Sequence, residues 1–399
     1  MSIEPQAVLI TGARAPAALE WVRLFHAAGR KVYVCDSLKR FVCRYSRLVS
    51  GSASVPSSKD DTEAFIDVLV GIIRKYRIGL VVPTCEEIFY VVKYRKKLEA
   101  EGAAVFADQL PALLGLHNKY EFIRMVEKNG LPVPETYRIT SEAELRDIVA
   151  GSSVSQKYVL KPVYSRFASK VRIIERSAGG PLVQAPESLA PDCPWVLQRF
   201  IKGTPVCTYS IAKDGRLLAH AAYESRYRAG MGASVHFAAI EHPAVHRWVE
   251  TFVAAERLHG QLAFDFIVDR EGTVYPIECN PRTTSGLHLF APEDGIAETV
   301  LRSAPENGER PLIQPPAGRS AMIGMMMGVQ AARPIMPWAA RVETVRAMLR
   351  SRDVLIRFRD PLPFWSQLFS LWELFNMSRR RGVSLLEAST IDLEWNGDG

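Results

Sequence analysis

Three short apolar runs, separated by segments with helical periodicity, constrain the fold of the front of the chain more than any other feature. The runs lie at 7–10, 31–35 and 79–83, and the helical segments lie at 15–28 and 62–76. Parallel strands need a long crossover connection, which such helices supply. Continuous apolar strands are typical of a sheet that is covered on both faces. The pattern therefore predicts a parallel sheet with right-handed crossovers.

The middle of the chain has a different pattern. One compact helix is predicted at 118–129, because Asn118 is a good N-cap and Gly130 ends the segment. Short strands follow from about residue 157, and a proline-rich stretch at 305–316 precedes the last part. The sequence therefore predicts an α/β fold in three parts, 1–117, 118–304 and 305–399. The middle part is of the α+β kind, and the last is a small α/β extension.

The composition excludes a disordered chain, a collagen, a coiled-coil rod and a small disulfide-stabilised protein. Hydrophobic residues make up 48% and charged residues 23% of the chain, as in ordinary globular proteins. The net charge of +7 is spread along the chain and accompanies no recognisable nucleic-acid-binding module. No apolar stretch approaches the roughly 20 residues of a spanning helix, and the start does not resemble a signal peptide. Six cysteines without a CxxC pair are typical of reduced thiols. We therefore expect a cytoplasmic protein with no nucleic-acid partner and no membrane insertion.

The strongest candidate for chemistry is a hairpin over 264–282, FDFIVDREGTVYPIECNPR. A four-residue loop at 270–273 would pair Asp269 with Val274 and so place Asp265 directly opposite Glu278. Alternation along the strand puts Asn280 on the same face as Glu278. Two carboxylates about 5 Å apart need a cation between them, and Mg²⁺ prefers oxygen ligands. The alternative is an accidental polar face on an edge hairpin, and a register slip of one residue would remove the site.

A second candidate is the lysine inside an apolar strand, Val159-Leu160-Lys161-Pro162, which a short loop at 165–170 follows. A lysine on a rigid strand beside such a loop could clamp phosphate, although a solvated strand-end lysine is the common alternative. The P-loop pattern GxxxxGK[ST] does not occur in the sequence. The turn after the first strand, 11–16, also lacks the GxGxxG spacing of a dinucleotide site.

Three further residues are candidates for substrate binding. Arg226 and Arg228 precede a glycine-containing segment and could hold a carboxylate, with a solvated loop as the alternative. Glu86 follows the third apolar run, at the end of the sheet where open α/β folds hold ligands.

The order of these residues resembles the ATP-grasp superfamily over about residues 7–300. The resemblance is carried by Lys119, Lys161, the hinge segment 198–203 (QRFIKG), Asp265 and the string Glu278-Cys279-Asn280-Pro281-Arg282. It implies a Rossmann-like preATP-grasp domain, then a two-lobed ATP-grasp domain. The implied cofactors are ATP and two Mg²⁺ ions, which Mn²⁺ can replace.

The resemblance also implies a role for each matching residue. Lys119 and Lys161 would bind phosphates, Ser165 would belong to the loop that covers them, and Gln198, Phe200 and Ile201 would border the adenine. Asp265, Glu278 and Asn280 would hold the metal ions. Arg282, with Lys161, would stabilise the charge that develops during phosphoryl transfer.

The activity that we expect is a carboxylate–amine ligase in a biosynthetic pathway. It would activate a small carboxylic or enolic acid as an acyl phosphate or phosphate ester and join it to an amine or amino acid. The alternatives are a phosphotransferase that releases the phosphorylated acid and a nucleotide-binding pseudoenzyme. Two departures from the family pattern matter: Pro205 stands where an acidic residue usually contacts the ribose, and the loop 165–170 has no glycine. Association of copies of the chain is left open.

Overall fold

The computed structural model describes residues 6–164, 170–175, 184–229, 233–301, 311–333 and 336–397. Its strands are β1 (Ala7–Ile10), β2 (Lys31–Asp36), β3 (Gly51–Ser54), β4 (Leu80–Val82), β5 (Ala104–Val105), β6 (Thr136–Ile139), β7 (Lys157–Pro162), β8 (Arg172–Glu175), β9 (Trp195–Arg199), β10 (Thr204–Lys213), β11 (Arg216–Glu224), β12 (Arg228–Ala229), β13 (Ala233–Ser234), β14 (His236–Ile240), β15 (Gly260–Val268), β16 (Val274–Asn280), β17 (Ser320–Met322) and β18 (Arg352–Asp353). Its α-helices are α1 (Pro16–Ala27), α2 (Thr62–Tyr76), α3 (Glu87–Lys93), α4 (Arg95–Glu99), α5 (Leu110–His117), α6 (Lys119–Lys128), α7 (Glu142–Gly151), α8 (Pro243–Ala255), α9 (Ile296–Leu301), α10 (Gly324–Ala331), α11 (Trp338–Arg350), α12 (Leu362–Arg381) and α13 (Leu385–Ala388).

The front of the chain forms a parallel sheet with the strand order β3-β2-β1-β4-β5. All four residues of β1 are buried, because helices cover both faces of the sheet. The predicted helix at 62–76 is α2, whose first turn is capped by the Asp61 side chain, which accepts a hydrogen bond from the Ala64 amide. The α/β fold predicted from the alternation of strands and helices is confirmed.

Two larger sheets follow, antiparallel except for the parallel β17–β18 pair, together with the two-stranded sheet β12–β13. The smaller has the order β6-β9-β7-β8, and the larger has the order β16-β15-β10-β11-β14-β17-β18. Helix α6 lies against the larger sheet through Phe122, whose ring stacks on Phe264 at 6.0 Å. The strands predicted from residue 157 onward are therefore present, and they belong to two different sheets.

The last part of the chain joins both preceding parts. Strand β17 pairs with β14, and β18 pairs with β17, so this part extends the large sheet. Helix α12 packs on the front, where the Ser370 hydroxyl donates to the Arg40 carbonyl at 2.8 Å. None of the helices in the described ranges is both long and apolar enough to cross a membrane. The boundaries at 117/118 and 304/305 stay predictions.

Buried polar contacts fix the front sheet against the large sheet. Gln261 on β15 accepts from the indole of Trp21 on α1 at 3.0 Å and donates to the Pro83 carbonyl at 2.9 Å. Glu20, also on α1 and fully buried, accepts two hydrogen bonds from Arg352 on β18, at 3.1 and 3.0 Å. A buried polar atom without a partner is costly, so these bonds favour one relative placement of the two sheets.

The segment 389–397 crosses the carboxyl ends of the front strands. Asp392 binds the guanidinium of Arg14 through both carboxylate oxygens at 2.8 Å, and Asp36 binds the same guanidinium. Burial opposes the charge on Arg14, but Asp36 and Asp392 raise its pKa above the ordinary value. Trp395 is buried between Phe89 and Tyr90, with ring centroids 5.5 and 5.0 Å away. This segment is therefore part of the front core.

The Arg14–Asp392 pair predicts a large effect of a small change. Asp392→Asn should lower the free energy of unfolding by about 2–3 kcal/mol, because it leaves a buried guanidinium with one carboxylate in place of two. Urea unfolding measures the change. The control is Asp67→Asn, since Asp67 is 66% exposed in its pair with Lys97 and should change stability by less than about 1 kcal/mol. Equal effects of the two substitutions would contradict the prediction.

Candidate active site

The hairpin β15–β16 differs from its predicted register at the turn. Val268, not Asp269, pairs with Val274, so the connection is 269–273 and the predicted Asp269–Val274 pairing is wrong. The register then shifts by one between Asp265 and Phe266, which leaves Ile277 as an extra residue on β16. Because of this bulge, Asp265 still lies opposite Glu278, as the sequence predicts. Proline has no amide hydrogen for the ladder, so Pro276 explains why pairing is interrupted here.

The bulge also sets which side chains share a face. Beyond it, Glu278 and Asn280 are partly exposed, whereas Cys279 is buried in the apolar core. Asp265 and Glu278 lie within hydrogen-bond reach of each other, and the Asn280 amide lies 3.5 Å from Glu278. Two carboxylates this close repel each other unless a proton or a cation lies between them. The face is therefore suited to a positive ligand.

Lys161 connects the small sheet to this hairpin. It lies on β7, is buried, and donates to the Gln198 side chain and to the carbonyl of Ile277, both at 3.1 Å. Gln198 in turn donates to the Thr136 hydroxyl at 3.1 Å. Burial lowers the pKa of Lys161 to about 8, although Glu278 acts in the opposite direction. The bulge residue thus supplies the acceptor that holds this ammonium beside the two carboxylates.

Lys119 approaches the same carboxylates from the start of α6. The helix begins here because the Asn118 side chain accepts hydrogen bonds from the amides of Tyr120 and Glu121. The Lys119 ammonium is buried and lies 3.5 Å from Glu278 Oε2. Burial would raise the pKa of Glu278, but Lys119 and Lys161 hold it well below the ordinary value. Glu278 is therefore ionised at neutral pH.

Arg282 borders the cluster on the side of the front sheet. Its guanidinium donates to Asn280 Oδ1 at 3.0 Å, and its Nε lies 3.9 Å from Glu86 Oε1. Glu86 is buried, and its other carboxylate oxygen accepts from the Trp395 amide at 3.0 Å. The structure thus places Glu86, a predicted substrate residue, between Arg282 and the segment 389–397.

The hinge segment links β9 to β10. Phe200, directly after the inner strand β9, is 38% exposed, and Ile201 is partly exposed beside it. Gly203 is required at its position, since a Cβ atom there would collide with the Val268 carbonyl. Pro205 lies on β10 opposite Ile267. Ser165 lies outside the described residues.

The predicted substrate residues do not all gather at this cluster. Arg226 follows β11, two strands from β15 in the large sheet, and pairs with Glu224 at 3.2 Å. It lines a cavity of about 850 Å³ together with residues of β14 and α11, among them His236, Arg346 and Arg350. The backbone of Arg228 belongs to β12, but its side chain lies outside what the structure describes.

Sequence reasoning missed three contributors to the cluster: Thr136, Ile277 and Trp395. The bulge at Ile277 had a signal, since a proline inside a strand occurs at edges and at bulges. Thr136 and Trp395 had none, because their partners are 62 and 309 residues away in the chain.

The oxygen ligands on this face are suited to Mg²⁺. Within the described ranges no group of three or more His, Cys, Asp and Glu residues is placed to hold a metal ion. Two carboxylates and an amide oxygen match the way in which Mg²⁺ is usually held, by one or two carboxylates together with phosphate oxygens of the substrate. The residues present therefore fit a magnesium–phosphate complex.

Comparisons with known proteins agree with this geometry. Residues 116–286 match the family model of the ATP-grasp domain. The carbamoyl phosphate synthase large chain of Pyrococcus furiosus is 25% identical over 211 residues, which are 50% of this chain and 19% of that protein. This chain thus spans only about a fifth of that relative.

Two solved structures share the fold. The ADP complex of N5-carboxyaminoimidazole ribonucleotide synthetase is 15% identical with a TM-score of 0.62, over 88% of this chain and 98% of the other. The L-amino acid ligase of Bacillus licheniformis is 17% identical with a TM-score of 0.54, over 75% and 71%. At such identities the likeness concerns the fold alone. The matches, and the cluster of lysines and carboxylates inside the matched range, identify an ATP-grasp domain in this chain over residues 116–286.

Proposed function

We propose that the protein is an ATP-dependent ligase that activates a small carboxylic or enolic acid by phosphorylation and joins it to an amine or amino acid. The observation that carries the proposal is the convergence of two buried lysines and two facing carboxylates inside the ATP-grasp domain, with Arg282 at its edge. The two solved neighbours, one a complex with ADP and one an L-amino acid ligase, support it.

The proposal assigns the metal and the nucleotide to separate groups. Asp265, Glu278 and Asn280 would hold Mg²⁺, which neutralises phosphate charge when bound. Lys119 and Lys161 would bind the phosphates of ATP, since both ammonium groups lie beside Glu278 and so next to the proposed metal site. Phe200 and Ile201, which follow β9 in the small sheet, would border the adenine. Gln198 would act from behind, by holding Lys161 in place.

The chemistry then follows in two steps. An oxygen of the acid attacks the γ-phosphorus of ATP, the bond to the β-phosphate oxygen breaks, and ADP leaves. The amine nitrogen attacks the activated carbon, and phosphate leaves together with a proton from the amine. Arg282 would stabilise the charge on the transferred group, because its guanidinium is held at the edge of the cluster by Asn280 and Glu86. Such catalysis consists of positioning and charge neutralisation.

The second candidate is a phosphotransferase that makes the same first step and releases the phosphorylated acid. Both use the same lysines and carboxylates, and they differ only in the need for an amine. A pseudoenzyme is disfavoured by the joint presence of Asp265, Glu278, Asn280 and Arg282 in one cluster.

The products of ATP cleavage test the proposal. With a suitable acid and amine, mass spectrometry should detect ADP and phosphate in amounts equal to the condensed product. ADP formed with acid alone, together with a stable phosphorylated acid, would favour the phosphotransferase. AMP as the stoichiometric product would contradict both, because neither mechanism breaks the bond between the α- and β-phosphates.

Glu278→Gln should reduce turnover by a factor of about 10²–10³, because it removes a negative charge from the proposed metal site while keeping the size of the side chain. Affinity for ADP should fall less, since Lys119, Lys161 and the hinge remain. Steady-state ADP release measures turnover, and calorimetry measures affinity. Glu271→Gln, on the exposed turn 269–273, is the control and should have no effect. More than about a tenth of normal turnover in Glu278→Gln, at saturating Mg²⁺, would contradict the site.

The lowered pKa of Lys161 predicts that nucleotide binding depends on pH. Its lowered pKa of about 8 means that the ammonium is charged at pH 7 and loses its proton as the pH rises. In the presence of a chelator, the dissociation constant for ADP should therefore rise about tenfold between pH 7 and pH 9. Lys161→Arg should remove this dependence, because arginine stays charged throughout the range. A flat profile for the unmodified protein would remove Lys161 from the phosphate site.

A further inference from the structure

Helix α12 (Leu362–Arg381) packs Phe364, Leu374 and Met377 on the core and still exposes a large apolar side. Ser366, Gln367 and Ser370 are also buried, and the Ser370 hydroxyl donates to the Arg40 carbonyl, whereas Ser366 and Gln367 donate to carbonyls of α12 itself. The opposite side carries large apolar side chains that are 37–61% exposed: Leu362, Trp365, Leu368, Phe369, Leu371, Trp372 and Phe375. An ordinary surface helix exposes a polar face to water. The fold therefore leaves this outward face without a covering element among the described residues.

The exposed face is too large and too aromatic to be incidental. The seven side chains recur at three- and four-residue spacing along most of the helix, so they form one continuous strip. Phe358, in the loop before α12, adds a fully exposed ring. Single exposed apolar residues are normal in water, but a contiguous strip of this kind marks a surface that binds something.

The surroundings of this strip are basic. Arg40 lies over the rings of Phe369 and Trp372, at 6.0 and 5.4 Å from their centroids, and Arg379 lies 5.9 Å from the centroid of Phe375. In the chain, Arg357 and Arg359 precede the helix, and Arg380 and Arg381 are its last two residues. A partner that covers the strip must therefore also accept positive charge around it.

The nearby carboxylates offset only part of this charge. Glu373 is the one acidic residue of α12, and its two oxygens accept from the amides of Lys39 and Arg40, both at 2.9 Å. Asp60 pairs with Arg381 at 2.9 Å, and Asp360 is buried where it accepts from Ser46. The outward face of α12 carries no acidic side chain.

We propose that the outward face of α12 binds the surface of a lipid bilayer that carries anionic headgroups. Tryptophan, phenylalanine and leucine on one face, flanked by arginine, are the composition of a helix that lies in the plane of a membrane interface. Arginine side chains can then extend to the headgroups, and each basic residue adds attraction to an anionic leaflet. The protein would rest on the bilayer through α12 while the ATP-grasp domain stays in water.

A second copy of the chain fits this face less well. An isologous contact through α12 would bring the same basic residues of two copies together, at both ends and along one side of the helix. That repulsion is absent on an anionic bilayer. The charge pattern therefore favours lipid binding over self-association. The lipid-binding proposal does not depend on the proposed ligase activity.

The test is co-sedimentation of the full chain with vesicles of phosphatidylcholine alone or mixed in equal parts with phosphatidylglycerol. We expect binding to the mixed vesicles, at least tenfold weaker binding to phosphatidylcholine, and weakening by salt. The double variant Trp365→Ser/Trp372→Ser should bind the mixed vesicles at least tenfold more weakly. Its matched control is Trp338→Ser on α11, a tryptophan that is 76% exposed but lies outside the strip, and it should change binding less than twofold.

A second pair of variants tests the charge. Arg379→Glu should weaken binding to the mixed vesicles several-fold more than Arg270→Glu, which changes the net charge equally at the exposed turn 269–273. Thermal unfolding should show that all four variants fold as the unmodified chain does. The proposal is overturned by failure to bind the mixed vesicles or by binding that the tryptophan variant retains. It is equally overturned by a lipid-free dimer that the tryptophan variant abolishes, since that would assign the strip to a second copy.

Discussion

The arrangement of the candidate site depends on the repulsion between two carboxylates that a hairpin holds opposite each other. Asp265 and Glu278 face one another on β15 and β16, and two ammonium groups come from elements outside that hairpin. Lys119 comes with α6 and Lys161 with β7, so α6, the small sheet and the large sheet must meet at this point. Their charges lower the pKa of Glu278 and so keep this partly exposed carboxylate ionised. The positive and negative charges of the site thus compensate one another before a nucleotide binds. Phosphate oxygens of the nucleotide can then replace the carboxylates as partners of the two lysines.

The front sheet and the end of the chain support this site from the other side. Glu86 connects them, because one of its oxygens lies near Arg282 and the other accepts from the Trp395 amide. Trp395 is fixed by Phe89 and Tyr90, and Asp392 by Arg14, so the segment 389–397 is held at several points. A displacement of this segment would therefore be transmitted to Arg282 through the Glu86 carboxylate. The last part of the chain therefore supports the candidate site through Glu86.

The same last part presents the apolar strip of α12 to the outside. Its inner side is held by the bond from Ser370 to the Arg40 carbonyl and by the packing of Phe364, Leu374 and Met377 on the core, which leaves the aromatic strip outward. An enzyme that acts on a small acid in water has no evident need for such a face.

The sequence by itself determined the α/β class and the helices α2 and α6, because hydrophobic periodicity and capping are local properties of the chain. It predicted that Asp265 faces Glu278, but this pairing holds only because the bulge offsets a one-residue error at the turn. Only the tertiary structure decided the bulge at Ile277, which corrected a turn that the pairing arithmetic had placed one residue off. It also decided the burial of Lys161 and Glu86, and with it their partners Gln198 and Trp395. These contacts join residues far apart in the chain. Local pattern carries no information about them, since burial and charge compensation arise only when separate elements pack together.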